Sequence, residues 1–145
     1  MQEFRKGRRP RVLAAFFRCK QGRPRWEFFL YTYLQNQAKK KRWTSVTWVA
    51  AKGQTPGWDI QYKDTNGVLQ VLEVKTTTGQ KFSSVEITAG EWAAASKKRG
   101  DYHLVLVADI YGAAKLQFIR DPVGWVQEKT ARTTPLVYRF SLYPK

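Results

Sequence analysis

The sequence predicts an α/β domain, because helix-type and strand-type segments alternate along it. From Trp26 to Leu34 apolar side chains occupy nearly every side of a helix. Val68, Leu69, Val71, Leu72 and Val74 form an apolar, strand-favouring stretch directly after the turn residues Asp64, Thr65, Asn66 and Gly67. Thr88-Ala89-Gly90-Glu91 then has the form of a capping box, which opens a helix, and Leu104 to Val107 returns to strand.

In chain order, the first helix is expected over 25–38 and is read as largely buried. Strands follow at 44–50 and 58–63. Asn66-Gly67 is the strongest turn signal in the chain, so 60–63 and 68–76 are hairpin partners. The second helix runs over 89–98, with Lys97, Lys98 and Arg99 at its negative end and Gly100 as its stop. Strands at 102–110 and 115–120 come next. Asp121-Pro122 then supplies an N-cap and a first-position proline for a short helix. A last strand is expected near 135–142.

Composition narrows the partner. The chain has 145 residues, 26 Lys and Arg against 11 Asp and Glu, and a net charge of +15, which calls for a polyanion. Nucleic acid is the expected partner, double-stranded DNA in the first instance. Residues 1–25 hold nine of the cations (Arg5, Lys6, Arg8, Arg9, Arg11, Arg18, Lys20, Arg23 and Arg25) against Glu3, and so +8 of the total. We therefore divide the chain into a basic arm or junction over 1–22 and a domain over 23–145. Lys39, Lys40, Lys41 and Arg42 form a second cationic run. Arg5, Lys6, Arg8, Arg9 and Arg11 of the arm, with this run, are the candidate backbone-gripping residues. Trp43 and Trp48 are candidates for stacking on bases.

No stretch approaches the roughly 20 apolar residues of a membrane span, so no membrane partner is expected. Val12 to Phe17 is too short for a signal-peptide core. The single Cys19 fits a reducing, cytoplasmic setting. A chain that begins so abruptly before its core is expected to be one domain of a larger polypeptide, and a homodimer is the other partner expected.

The most informative spacing lies between acids. Fourteen positions separate Asp59 from Glu73, and Lys75 follows two positions later on the same strand. Side chains on a strand alternate, so Glu73 and Lys75 share one face roughly 6.5–7 Å apart while Val74 faces the other way. The hairpin can bring Asp59 to the same end of the sheet. A hard cation there takes one or two carboxylates, a backbone carbonyl and waters. A lysine beside it can stabilise charge developing on a phosphate or orient the attacking water. The plainer alternative is a surface ion pair between Glu73 and Lys75. Against it, Glu73 interrupts a strand of Val and Leu, and two of only eleven acids fall at this spacing. Gly57, before Trp58-Asp59, suits a close approach of the backbone to a ligand.

The run Gly57-Trp58-Asp59-Ile60, then Leu72-Glu73-Val74-Lys75-Thr76-Thr77, Phe82, Ile87-Thr88, Glu91, Ala94, and Tyr102 with Leu104 to Val107, resembles a known domain. That domain lies at the C-terminus of the plant protein NO VEIN, and similar ones occur in bacterial restriction and mobile-element proteins. The resemblance covers about residues 23–120. It implies the PD-(D/E)XK nuclease-like superfamily, whose restriction-endonuclease-like core has a central mixed β-sheet flanked by helices in the order αβββαβ. It further implies Asp59 and Glu73 as metal ligands, Lys75 as the active-site lysine and Glu27 as a helix acid. The nominal Pro-Asp of that superfamily is Trp58-Asp59 here.

Two functions follow. One is a magnesium-dependent (or manganese-dependent) endonuclease, in restriction or defence, with the metal on Asp59, Glu73 and the Val74 carbonyl. The other is a non-cleaving nucleic-acid-binding module of the same fold. Glu27 has two readings as well. It can complement the helix dipole and pair with Arg23 or Arg25, or it can hold the metal's water shell. Glu91 is read as a helix cap. His103, the only histidine, is read as packing or a partner for a phosphate, and not as a metal centre.

Overall fold

Trp26, Phe29, Leu30, Leu34 and Ala38 are the buried positions of helix α1 (Trp26–Lys41) in the computed structural model, which describes residues 26–134. Their spacing makes one stripe along the helix. Phe28 is 44% exposed, so α1 is a helix with one buried face and not the largely buried one expected. It also runs past residue 38, because Lys39, Lys40 and Lys41 favour helix and sit at its negative end.

After α1 come β1 (Thr44–Trp48), a short 3-10 turn (Ala50–Lys52), β2 (Ile60–Lys63) and β3 (Leu69–Thr76). Helix α2 (Ala89–Lys98), β4 (Tyr102–Ala108), β5 (Lys115–Arg120) and α3 (Pro122–Gln127) follow. The five strands form one sheet in the order β1-β2-β3-β4-β5. Among the described residues only β3 and β4 run parallel. Parallel neighbours need a crossover, and the β3-to-β4 connection carries α2. The fold is thus α/β with a mixed sheet, and its core follows the predicted order αβββαβ. The arm 1–22 and the strand expected at 135–142 lie outside the described residues.

Alternation divides the strands between two layers. Leu72 and Val74 of β3, with Ile60, Val105 and Val107, pack under Trp26, Phe29, Leu30 and Leu34 of α1. Val71 and Tyr102 on the opposite face pack with Ala94 and Ala95 of α2, joined by Trp58, Leu69 and Val123. Because Val71 opposes Tyr102, Glu73 opposes Leu104 and Lys75 opposes Leu106, the acid and the lysine face the α2 layer. Among the described residues no helix is long and apolar enough to cross a membrane.

The hairpin forms at the predicted turn. Gly67 takes the left-handed position (φ +74°), and Asp64 Oδ1 accepts from the backbone N–H of Asn66 (2.8 Å) and Val68 (3.0 Å). The other expected stop shifts by one residue. Arg99, not Gly100, has the positive φ (+52°) at the end of α2. Its guanidinium holds it there, donating to Asp121 (3.0 and 3.2 Å) and Gln127 (2.8 Å). Asp121 is in turn the N-cap of α3, accepting from the Gly124 N–H as expected.

His103 belongs to the fold. Its Nε2 lies 2.9 Å from Gln70 Oε1, and Gln70 Nε2 donates to Asp64 and Asp101, both at 3.1 Å. This half-buried chain ties the hairpin turn to the start of β4, so the packing reading holds. Burial first, and then the charge of Arg120, pushes its pKa down to about 4. A folded pKa below the unfolded value near 6.5 gives stability that is present above pH 6.5 and lost as pH falls towards 4. Protonating His103 in the fold costs on the order of 3 kcal/mol. Melting curves should therefore show a drop between pH 6.5 and 4 that His103→Gln largely removes. An equal drop in that variant would place the acid sensitivity elsewhere.

Candidate active site

Asp59 stands just before β2, and its backbone is fixed from both sides. Its N–H donates to Leu72 O (2.9 Å), and its carbonyl accepts from Val49 (2.9 Å) and Ala50 (3.2 Å). Those two bonds also turn the chain out of β1 at Trp48, two residues earlier than predicted. The Asp59 side chain continues the ladder beyond its last residue pair, with Oδ2 accepting from the Val74 N–H at 2.8 Å. In a strand the N–H and C=O of one residue point to the same edge, so the Val74 carbonyl faces the Asp59 side as well. Glu73 and Lys75 flank Val74 and point into the α2 layer.

Gly57 fixes the approach to Asp59. It has φ +98°, and a Cβ there would lie 2.7 Å from Ala94 Cβ and 2.8 Å from Gly90 O. The close backbone approach that Gly57 permits is made to α2. The hydroxyl of Tyr102, 2% exposed, donates to Gly57 O at 2.9 Å and secures the same loop.

The charges are strongly coupled. Glu73 is 6% exposed, and Lys75 Nζ lies 3.0 Å from its Oε1 and 2.8 Å from Glu91 Oε2. Burial, reinforced by the charge of Asp59, pushes the Glu73 pKa up to about 8 despite Lys75. Asp59 is raised as well, by burial first and then by Glu27 and Glu91, while the Val74 N–H and Lys75 oppose the rise. For Lys75 burial works against the charged form, but Glu91 and Glu73 outweigh it and raise its pKa. Burial would raise Glu91, yet Lys75 and the Thr88 N–H hold it below the usual carboxylate range. Burial and the carboxylates together raise the Tyr102 hydroxyl.

This donor set fits a hard divalent cation. Two carboxylates held close, each disfavoured in its ionised form, gain from a positive charge between them. Among the described residues no three His, Cys, Asp or Glu side chains converge as a metal cage. Asp59, Glu73 and the Val74 carbonyl would therefore hold the ion together with water. That is magnesium's habit more than that of zinc or calcium.

The remaining predicted residues divide. Glu27 lies half-buried in the first turn of α1, close enough for its charge to act on Asp59. Its alternative partners Arg23 and Arg25 lie outside the described residues, as do Arg5, Lys6, Arg8, Arg9 and Arg11. Lys39, Lys40, Lys41 and Arg42 are exposed at the far end of α1, roughly 18 Å along the helix from Glu27. Trp43 stacks on Tyr62 at 4.4 Å with Lys41 Nζ 4.9 Å from its ring. Trp48 lies against Phe28 (5.9 Å) and Tyr31 (6.2 Å). Both indoles are half-buried and pack against rings of the chain. Glu91 does form the predicted capping box with Thr88, but it also reaches Lys75, which the cap reading left out.

Comparison with known proteins adds one finding. The model of the family described as Protein NO VEIN, C-terminal matches residues 26–119. No curated protein and no solved structure matches the chain.

Proposed function

The chain belongs to the NO VEIN C-terminal family, and from that premise and the geometry above we propose that it is a metal-dependent endonuclease acting on double-stranded DNA. The observation that carries this reading is the convergence at one strand end. Asp59 reaches the Val74 N–H, and Glu73 and Lys75 flank that residue on a single face. In a plain surface ion pair the acid would not be 6% exposed beside a second carboxylate, as Glu73 is.

Each residue then has a part. A bound magnesium or manganese ion supplies positive charge to the phosphate and acidifies water. Asp59 and Glu73 would hold that charge between the start of β2 and the middle of β3, and the fixed backbone around Asp59 and Gly57 keeps the Asp59 carboxylate in place. Lys75 projects its ammonium from the same face, where it stabilises the charge developing on the phosphate or orients the attacking water. Glu27 adds negative charge from α1, suited to holding water around the site. The cations of the chain bind the phosphate backbone. Incubating double-stranded DNA, single-stranded DNA and RNA with magnesium, manganese or EDTA tests the reading. Metal-dependent cutting of duplex DNA is expected, and cutting that survives EDTA would contradict it.

The cationic run can be tested separately. Replacing Lys39, Lys40, Lys41 and Arg42 together with Gln should flatten the log–log salt dependence of DNA binding, by close to one unit for each phosphate that the variant no longer neutralises. Cutting at saturating DNA should persist, because the run lies at the opposite end of α1 from Glu27. An unchanged salt slope would remove these residues from the interface.

A further inference from the structure

We propose that Glu91 is a positioning residue for Lys75, holding the ammonium in place when Glu73 turns to the metal. Lys75 Nζ is shared between two carboxylates, at 2.8 Å from Glu91 and 3.0 Å from Glu73. A metal ion at the site would leave it only one of them. Glu73 is the partner that a cation would claim, and a lysine left with no other anchor would relax into its many rotamers. Glu91 is held apart from that competition. The oxygen that binds Lys75, Oε2, also accepts from the Thr88 N–H at 3.0 Å, and the Glu91 N–H donates to Thr88 Oγ1 at 3.2 Å. The capping box thus fixes the carboxylate on the first turn of α2, and α2 is packed on the sheet through Ala94 and Ala95.

A second feature points the same way. Gly57 admits α2 closely enough that any side chain at that position would strike Gly90 and Ala94. The approach places the start of α2 beside the strand that carries Lys75. One helix start therefore serves both the loop leading to Asp59 and the ammonium of Lys75. The nuclease reading supplies what Lys75 does. Where Lys75 sits is independent of it.

A helix cap alone makes a different prediction. Gln serves at the third position of a capping box as Glu does, so Glu91→Gln keeps the cap while removing the charge that holds Lys75. The test uses labelling of Lys75 by an amine-reactive ester, read by mass spectrometry in the metal-free protein. Glu73→Gln stands in for withdrawal of Glu73. In that background Lys75 should stay protected, and adding Glu91→Gln should raise its labelling about tenfold or more relative to Lys115, the loss of a charge-assisted hydrogen bond. Melting temperature should hardly change between the two. Where the wild type cuts DNA, Glu91→Gln alone should lower kcat by a similar factor and leave KM alone. Unchanged Lys75 labelling on adding Glu91→Gln, with Glu91→Ala lowering only the melting temperature, would show a cap and nothing more. A wild type that cuts no nucleic acid while the labelling contrast persists would overturn the nuclease reading and leave this one standing.

Discussion

Asp59→Ala and Glu73→Ala are each expected to reduce cutting by about a thousandfold or more, since a bound cation contributes several kcal/mol of charge stabilisation to the reaction. Nucleic-acid binding should stay at the wild-type level or tighten, because neither change removes a cation and a carboxylate, wherever ionised, repels phosphate. Either variant cutting at the wild-type rate would mean that the metal lies elsewhere. The two carboxylates should differ in their effect on the metal-free fold. Glu73 is held with its pKa near 8, above the usual carboxylate value of 4.5. A raised folded pKa means that stability from this group is complete below pH 4.5 and is lost as pH rises through 8, on the order of a few kcal/mol. Glu73→Gln should therefore raise the melting temperature above pH 8 while abolishing cutting. That pairing of lost activity with gained stability is expected of a residue kept for chemistry. Between pH 4.5 and 6.5 this slope opposes that of His103, so each is measured in the variant lacking the other.

Lys75→Ala is the second large effect. Removing one preorganised charge that acts on the transition state lowers cutting by about a hundredfold to a thousandfold. Magnesium binding, measured by calorimetry, should persist, because an ammonium does not coordinate the ion. It should even strengthen, since Lys75 no longer competes for Glu73. Abolished metal affinity in a folded Lys75→Ala protein would make the lysine structural. Lys75→Arg should not restore the rate, because a guanidinium is larger than the ammonium between Glu73 and Glu91 and prefers a bidentate fit.

Much of this site was legible in the sequence because it depends on short-range rules. The period of a strand puts Glu73 and Lys75 on one face whatever the rest of the chain does. Asn66-Gly67 forms the turn that returns β3 beside β2, and the register Ile60 with Leu72 follows from that turn. Thr88 and Glu91 cap α2 as read. What could not be read is where an element faces across the sheet. Glu91 has one local role as a cap and one long-range role at Lys75, sixteen residues away, and only the packing of α2 reveals the second. Gly57 likewise announced a close approach, but the partner was α2. Trp43 and Trp48 show how little sequence says about where a ring packs. An aromatic in a basic chain suggests base stacking, yet stacking on Tyr62 and packing against Tyr31 satisfy the same rings. Phe28 is 44% exposed in a helix whose composition predicted burial, because one stripe suffices to cover Leu72, Val74 and Val105.

The most direct test of the central claim, that Asp59, Glu73 and Lys75 form a metal-dependent nuclease site, compares wild type and Glu73→Gln on one labelled duplex. Each is assayed under single-turnover conditions in magnesium and in EDTA, with binding measured alongside. Cutting is predicted only for the wild type in magnesium, with both proteins binding the duplex. Cutting by Glu73→Gln in magnesium, or by the wild type in EDTA, would contradict it.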